Sequence, residues 1–123
     1  MRRKILLVDD EPVVLEILGK KLEQRNFDVF TARDGAEGLK CAKSVHPDLI
    51  LLDELMPRKD GLAMLKELKE DEKLIGIPVI MVTARRAQRE KTKAEEAGVI
   101  AYITKPASLF EILKYIEWYL QAS

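Results

Sequence analysis

The chain has 123 residues, room for one core and too few for two comfortable domains. Lys plus Arg and Asp plus Glu each total 21, so a net charge near zero gives no electrostatic reason to expect nucleic acid or an anionic membrane as partner. Cys41 is the single cysteine, which excludes an intrachain disulfide, argues against a cysteine-based metal site and fits a reducing, cytoplasmic setting.

The opening MRRKILLVDDE has the basic start of a signal peptide, but its apolar run, Ile5 to Val8, is far too short for an h-region or a membrane span. It reads as a first strand, 4–9. Pro12 suits the first turn of a helix, which Val14, Ile17, Leu18 and Leu22 continue at helical spacing to about residue 25. The alternating FDVFTA, 27–32, reads as a half-exposed edge strand. Asp34 can cap a second helix, 35–45, with Ala36, Leu39, Ala42 and Val45 inward, and Cys41 lies off that stripe. DLILLD, 48–53, is a third strand. Asp60 can cap a third helix with Leu62, Leu65 and Leu68 inward, and PVIMVT, 78–83, is a fourth strand. The segment 86–97 has good helix formers, yet its only apolar residues are Ala87, Ala94 and Ala97, so it is expected to be weakly held and to end at Gly98. VIAYIT, 99–104, is a fifth strand. Ser108 and Glu111, at capping-box spacing, open a last helix with Leu109, Ile112, Leu113, Ile116 and Leu120 on one stripe.

Strand and helix thus alternate five times, with no repeat or linker, so residues 1–123 read as a single domain. Strands one, three and four are continuous apolar runs, as in a parallel sheet covered on both faces. The expected fold class is α/β, a doubly wound five-stranded parallel sheet with helices on both faces. Ligands of such folds bind beyond the carboxyl ends of the strands.

The residues at those ends are polar: Asp9-Asp10 after strand one, Asp53 after strand three, Thr83 after strand four, Lys105-Pro106 after strand five. In a parallel sheet they share one edge. Carboxylates gathered there repel at roughly 4 kcal/mol per close pair for an effective dielectric near 20, so they call for a cation. Lys105 supplies one charge and a divalent ion two. Oxygen-only ligands suit Mg²⁺, and a carboxylate beside a metal, a lysine and a hydroxyl has the parts for phosphoryl transfer to an aspartate. Asp53, costly to bury at a strand end unless paired or bound to metal, reads as the acceptor. Asp9 and Asp10 also fit a helix cap before Pro12, Thr83 an ordinary strand residue and Tyr102 a plain core aromatic; the company of Asp53 and Lys105 favours the site.

In ILLVDDE, LILLDELMPRKDG, VIMVTA and AYITKP, in this order and at these spacings, the chain resembles the receiver domain of two-component response regulators over essentially its whole length. The resemblance implies a flavodoxin-like sheet of order 2-1-3-4-5. It implies that Asp53 is phosphorylated by a histidine kinase or histidine phosphotransfer protein, with Mg²⁺ held by Asp9, Asp10, Asp53 and the backbone carbonyl of Leu55. Thr83 and Lys105 are then expected to contact the phosphoryl oxygens. Tyr102 matches the family's aromatic switch position, to move with Thr83, and Lys105-Pro106 matches a peptide bond that is cis in the family. The expected output face is the fourth helical segment, strand five and the last helix, presented to a downstream protein or a second copy. Such a chain is a signalling switch rather than an enzyme.

Glu54 and the apolar pair Val99-Ile100 depart from the family pattern, the pair standing where a small residue and an acid are frequent. Glu54 follows the acceptor where an apolar residue is usual: it either faces solvent or adds negative charge, the one support for a receiver-like interaction module that takes no phosphate. Leu55 and Arg85 stand where the family tunes loss of the phosphoryl group and suggest a long-lived phosphoryl state. A haloacid-dehalogenase-type phosphatase would want Asp-x-Asp after strand one, and a flavin carrier a hydroxyl-rich loop; Asp9-Asp10-Glu11 is neither. His46 on its loop reads as solvated, the charges at 85–93 as a solvated face, and Trp118 with Tyr115 as neighbouring aromatics opposite the last helix's apolar stripe.

Overall fold

Apolar runs too short for helices become strands, and the longer stretches with a 3.6-residue period become the helices that cover them. The structure is a computed structural model and describes residues 2–53, 61–83, 93–104 and 108–122. The strands are β1 (Lys4–Val8), β2 (Asp28–Ala32), β3 (Leu49–Asp53), β4 (Val79–Thr83) and β5 (Ala101–Thr104). The helices are α1 (Pro12–Gln24), α2 (Gly35–Val45), α3 (Gly61–Glu70) and a C-terminal helix, Leu109–Ala122. All strand pairs are parallel and the sheet order is β2-β1-β3-β4-β5, as expected.

Alternation along the strands divides the core. Leu6, Val8, Ile50, Leu52, Val79 and Met81 face α2 and α3, whereas Ile5, Leu7, Leu49, Leu51, Ile80 and Val82 face α1 and the C-terminal helix. Every residue of β3 is buried, because it is central and covered on both sides. β2 is an edge strand, as is β5, and is half-buried over most of its length.

Helix faces depart from the simple spacing. Leu15, not Ile17, joins Leu18 and Leu22 in the core, and Ile17 is 49% exposed. In α2, Ala36 is exposed and the inward positions include Gly35 and Gly38. Helices lie closer to the sheet where the inward residue is small, so two glycines displace alanine from the contact. An ideal Cβ on Gly38 would stand 2.9 Å from Met64 Cε and 3.1 Å from Val8 Cγ2. Gly38→Val is therefore expected to lower stability by about 1–3 kcal/mol through overpacking, read as a reduced denaturation midpoint at unchanged m-value. In α3, Met64 is fully buried and Leu62 only partly so. Cys41 is half-buried against the α2–α3 side of the core rather than clear of it, and burial raises its thiol pKa, which suits an inert residue.

Caps fall where the side chains predict. Asp34 accepts from the Glu37 N–H at 2.8 Å to start α2, and Ser108 Oγ accepts from the Glu111 N–H at 3.1 Å to start the last helix. The expected cap Asp60 lies outside the described residues, as does 86–92 of the alanine-only segment. Its described end, a helical turn at residues 93–96, is anchored rather than loose. Ala94 is fully buried, Gly98 N–H donates to the Glu95 carbonyl, and Val99 N–H donates to the Ala94 carbonyl. That pair of bonds is a Schellman motif with its apolar contact between Ala94 and Val99. Val99 is thereby spent on ending the helix, so β5 starts at Ala101 instead of 99. Gly98 has φ +100°, and its missing Cβ would sit 3.2 Å from Lys69 Cε. The Lys69 ammonium donates to the Ile75 carbonyl at 3.1 Å, which holds the stem there. Gly98→Ala is expected to cost roughly 1–2 kcal/mol for the left-handed backbone alone, measurable by chemical denaturation.

Candidate functional site

Register alone brings the expected site residues to one edge of the sheet. Val8 pairs with Ala32 on one side and Leu52 on the other, so Asp9 and Asp53 are the next residues on adjoining strands. Asp9 N–H donates to the Ala32 carbonyl at 3.0 Å, extending the ladder one residue past β1. Asp53 is opposite Val82, which puts Thr83 one step further along the neighbouring strand, and Thr83 is opposite Thr104 of β5. Lys105 and Pro106 follow Thr104 in the chain and, with Glu54, Leu55 and Arg85, lie outside the described residues.

The carboxylates converge. One oxygen each from Asp9, Asp10 and Asp53 lie within 4.8 Å of one another. Asp9 and Asp53 are buried and Asp10 is exposed. Among the described residues the only other buried charged side chain is Asp34, which the α2 cap explains. Asp9 Oδ1 accepts from the Glu11 N–H at 2.9 Å, fixing the turn that carries Asp10 outward ahead of Pro12. This turn serves both readings of the acidic pair: it precedes α1, yet the cap residue Glu11 makes no side-chain capping bond and both aspartates join Asp53 instead.

Beneath the cluster is a void of about 40 Å³ walled by Asp9, Asp53 and apolar side chains, among them Leu15, Leu18, Leu51, Val82 and Ile112. The two buried carboxylates thus back onto hydrocarbon. On that side their mutual repulsion is poorly screened. Oxygen donors of this kind, few and carboxylate-rich, fit a hard divalent cation that keeps several waters, as Mg²⁺ does.

Tyr102 stands one turn of the pleat before the edge, opposite Met81, half-buried against the α2–α3 side of the core. On the C-terminal helix Trp118 and Tyr115 are exposed, as their spacing predicts. Spacing does not single out Tyr119, whose hydroxyl donates to the Ile100 carbonyl at 2.7 Å and ties the helix to the residue before β5. Among the described residues no helix is long and apolar enough to cross a membrane.

Comparison with known proteins agrees with this architecture. The family model for the response regulator receiver domain matches residues 5–117. The polar-differentiation response regulator DivK of Brucella ovis is 35% identical over 120 residues, 98% of each chain. The alkaline phosphatase synthesis transcriptional regulatory protein PhoP of Bacillus subtilis is 38% identical over all of this chain, which spans 50% of PhoP's length. A CheY-like response regulator receiver domain protein from Methanospirillum hungatei superposes with a TM-score of 0.92 at 28% identity, covering 99% of this chain and 96% of the other. Sheet order, acidic edge and these matches agree, and the chain belongs to the response regulator receiver domain family.

Proposed function

We propose that the chain is a phosphorylatable switch in which Asp53 takes a phosphoryl group from a histidine kinase or histidine phosphotransfer protein in an Mg²⁺-dependent step. The observation that carries the reading is the convergence of three aspartate oxygens within 4.8 Å at the carboxyl edge of the sheet. Asp9, Asp10, Asp53 and the backbone carbonyl of Leu55 are the residues to hold the ion. When bound, it supplies positive charge to the carboxylates and to the phosphoryl oxygens.

Asp53 acts as the nucleophile. Its oxygen forms a bond to phosphorus while the P–N bond of the donor phosphohistidine breaks, the electron pair leaving with the imidazole. Anchorage at the end of an entirely buried strand holds the carboxylate in place before the donor arrives. The Thr83 hydroxyl donates to a phosphoryl oxygen and the Lys105 ammonium offsets the incoming charge of about −1.5 to −2. Thr83 turning inward leaves room for Tyr102 to follow. The face made by residues 86–97, β5 and the C-terminal helix then changes shape toward a downstream protein or a second copy. On this reading residues 1–123 form one cytoplasmic receiver domain.

Phosphoryl incorporation mapped by residue tests it. A small-molecule acyl phosphate with Mg²⁺ is expected to add one phosphoryl group, on Asp53, and a chelator to abolish the addition. Uptake on another residue, or none, sinks the proposal; none at all leaves the inert interaction module.

A further inference from the structure

We propose that Lys69 is an acylation site: its amine takes an acetyl group from a thioester donor, and the modified side chain releases the turn at residues 94–99. Lys69 is in the last turn of α3 and is half-buried. Its ammonium crosses the turn before β4 and donates to the Ile75 carbonyl at 3.1 Å. Its stem lies against Gly98, with Cε 3.2 Å, Cδ 3.7 Å and Nζ 3.8 Å from the point where a Cβ would stand. A single side chain thus joins α3, the turn before β4 and the turn before β5.

The surroundings suit a nucleophilic amine. Acylation needs the neutral form, and an ammonium beside a carboxylate holds its proton more firmly. The partner of Lys69 is an uncharged carbonyl. Among the described residues, Asp71, Glu72 and Lys73 on the turn and Lys93, Glu95 and Glu96 on the facing segment make no ion pair with it. Partial burial, with no acid to offset it, pushes the Lys69 pKa down. The approach over the turn is open: Ile75 is 52% exposed, and a Cβ built on Gly76 meets no atom within 4 Å. In the reaction Nζ forms a bond to the acyl carbon, the C–S bond breaks with its electron pair leaving on the thiolate, and one amine proton passes to water. The product is an uncharged amide that carries an added carbonyl and methyl. It has no room on the Gly98 side, where Nζ is already at contact distance. Gly98 cannot yield, being held at φ +100° by its own bond to the Glu95 carbonyl and by that of Val99 to Ala94. The acetylated side chain therefore swings out over the turn, and its stem leaves Gly98. Residues 94–97 belong to the proposed output face, so acylation loosens one end of it. That consequence alone rests on the phosphoryl reading. The modification needs no phosphoryl group and is tested without phosphodonor or Mg²⁺, so the two readings fail separately.

Acetyl-coenzyme A is the probe, with acetylation of each lysine followed by peptide mass mapping. Lys20, exposed and 3.3 Å from Glu16, is the comparison. At about pH 8, Lys69 is expected to react at least about threefold faster than Lys20, with a rate that levels off below the ordinary lysine range. In the chain acetylated at Lys69, the Gly98 and Val99 amides should exchange with deuterium at least about tenfold faster. The Asp9 amide, bonded to Ala32 in the sheet, should keep its rate. Lys69→Arg retains a cation and a donor but takes no acetyl group, so after the same treatment it should keep slow exchange at Gly98 and Val99. Acetylation of Lys69 no faster than that of Lys20 overturns the proposal. So does acetylation that leaves the Gly98 and Val99 amides unchanged, or faster exchange that persists in treated Lys69→Arg.

Discussion

Asp53→Ala is expected to take up no phosphoryl group under conditions in which the parent chain takes up one, a loss to below detection in the intact-mass spectrum. Asp53 is the one carboxylate of the cluster that ends a strand; Asp9 and Asp10 follow β1 in a turn fixed by the Asp9–Glu11 contact. A nucleophile must be held at a near-attack position, and β3, buried along its length between β1 and β4, is the most constrained backbone at the edge. Alanine removes that carboxylate and leaves the strand's apolar packing intact, so circular dichroism should be unchanged. Stoichiometric labelling of Asp53→Ala, with the group on Asp9 or Asp10, would move the acceptor to β1 and end the present assignment.

Asp53→Asn is expected to raise the thermal midpoint in metal-free buffer and to blunt the rise that Mg²⁺ produces in the parent chain. Asp9 and Asp53 are buried with oxygens within 4.8 Å, so with an effective dielectric near 20 their repulsion is at least about 3.5 kcal/mol. Asp10 is exposed and its share is screened. Neutralising Asp53 removes the larger part. A gain of about 1 kcal/mol would already lift the midpoint by roughly 3–6 °C for a domain of this size. In the parent chain, Mg²⁺ at a hundred times its Kd should add about 2.7 kcal/mol, and Asp53→Asn should lose most of that response. Asp34→Ala is the control. Asp34 is equally buried but spends its carboxylate on the α2 cap, so its removal should cost about 1 kcal/mol and leave the Mg²⁺ response whole. If Asp53→Asn is less stable without metal, or gains as much from Mg²⁺ as the parent, the acids are not the repelling, ion-binding group described.

The elements were legible because their signals are local. β3 is an apolar run ending in an acid, and α2 has an aspartate at its cap; neither needs a distant residue to declare itself. The misplacements have one origin. Ile17 and Ala36 lie on faces that spacing alone marks as inward, yet the structure turns Leu15 and Gly38 inward instead. How far a helix rotates on a sheet depends on which side chains it meets, here Met64 and Val8 pressing on Gly38. The weak hold expected of the alanine-only segment failed at its described end for the same reason. Ala94 reaches the core because a Schellman turn folds Val99 back beside it, a contact invisible to composition.

The amino-acid sequence by itself determined the α/β alternation, the parallel sheet and the choice of Asp9, Asp10 and Asp53, since strand ends and the polar residues just past them are read from the local pattern. Only the tertiary structure decided that two of those acids are buried over a small apolar void and that all three come within 4.8 Å. Convergence between strands forty residues apart is set by how helices pack on both faces of one sheet, a property of the whole chain that no single stretch of it encodes.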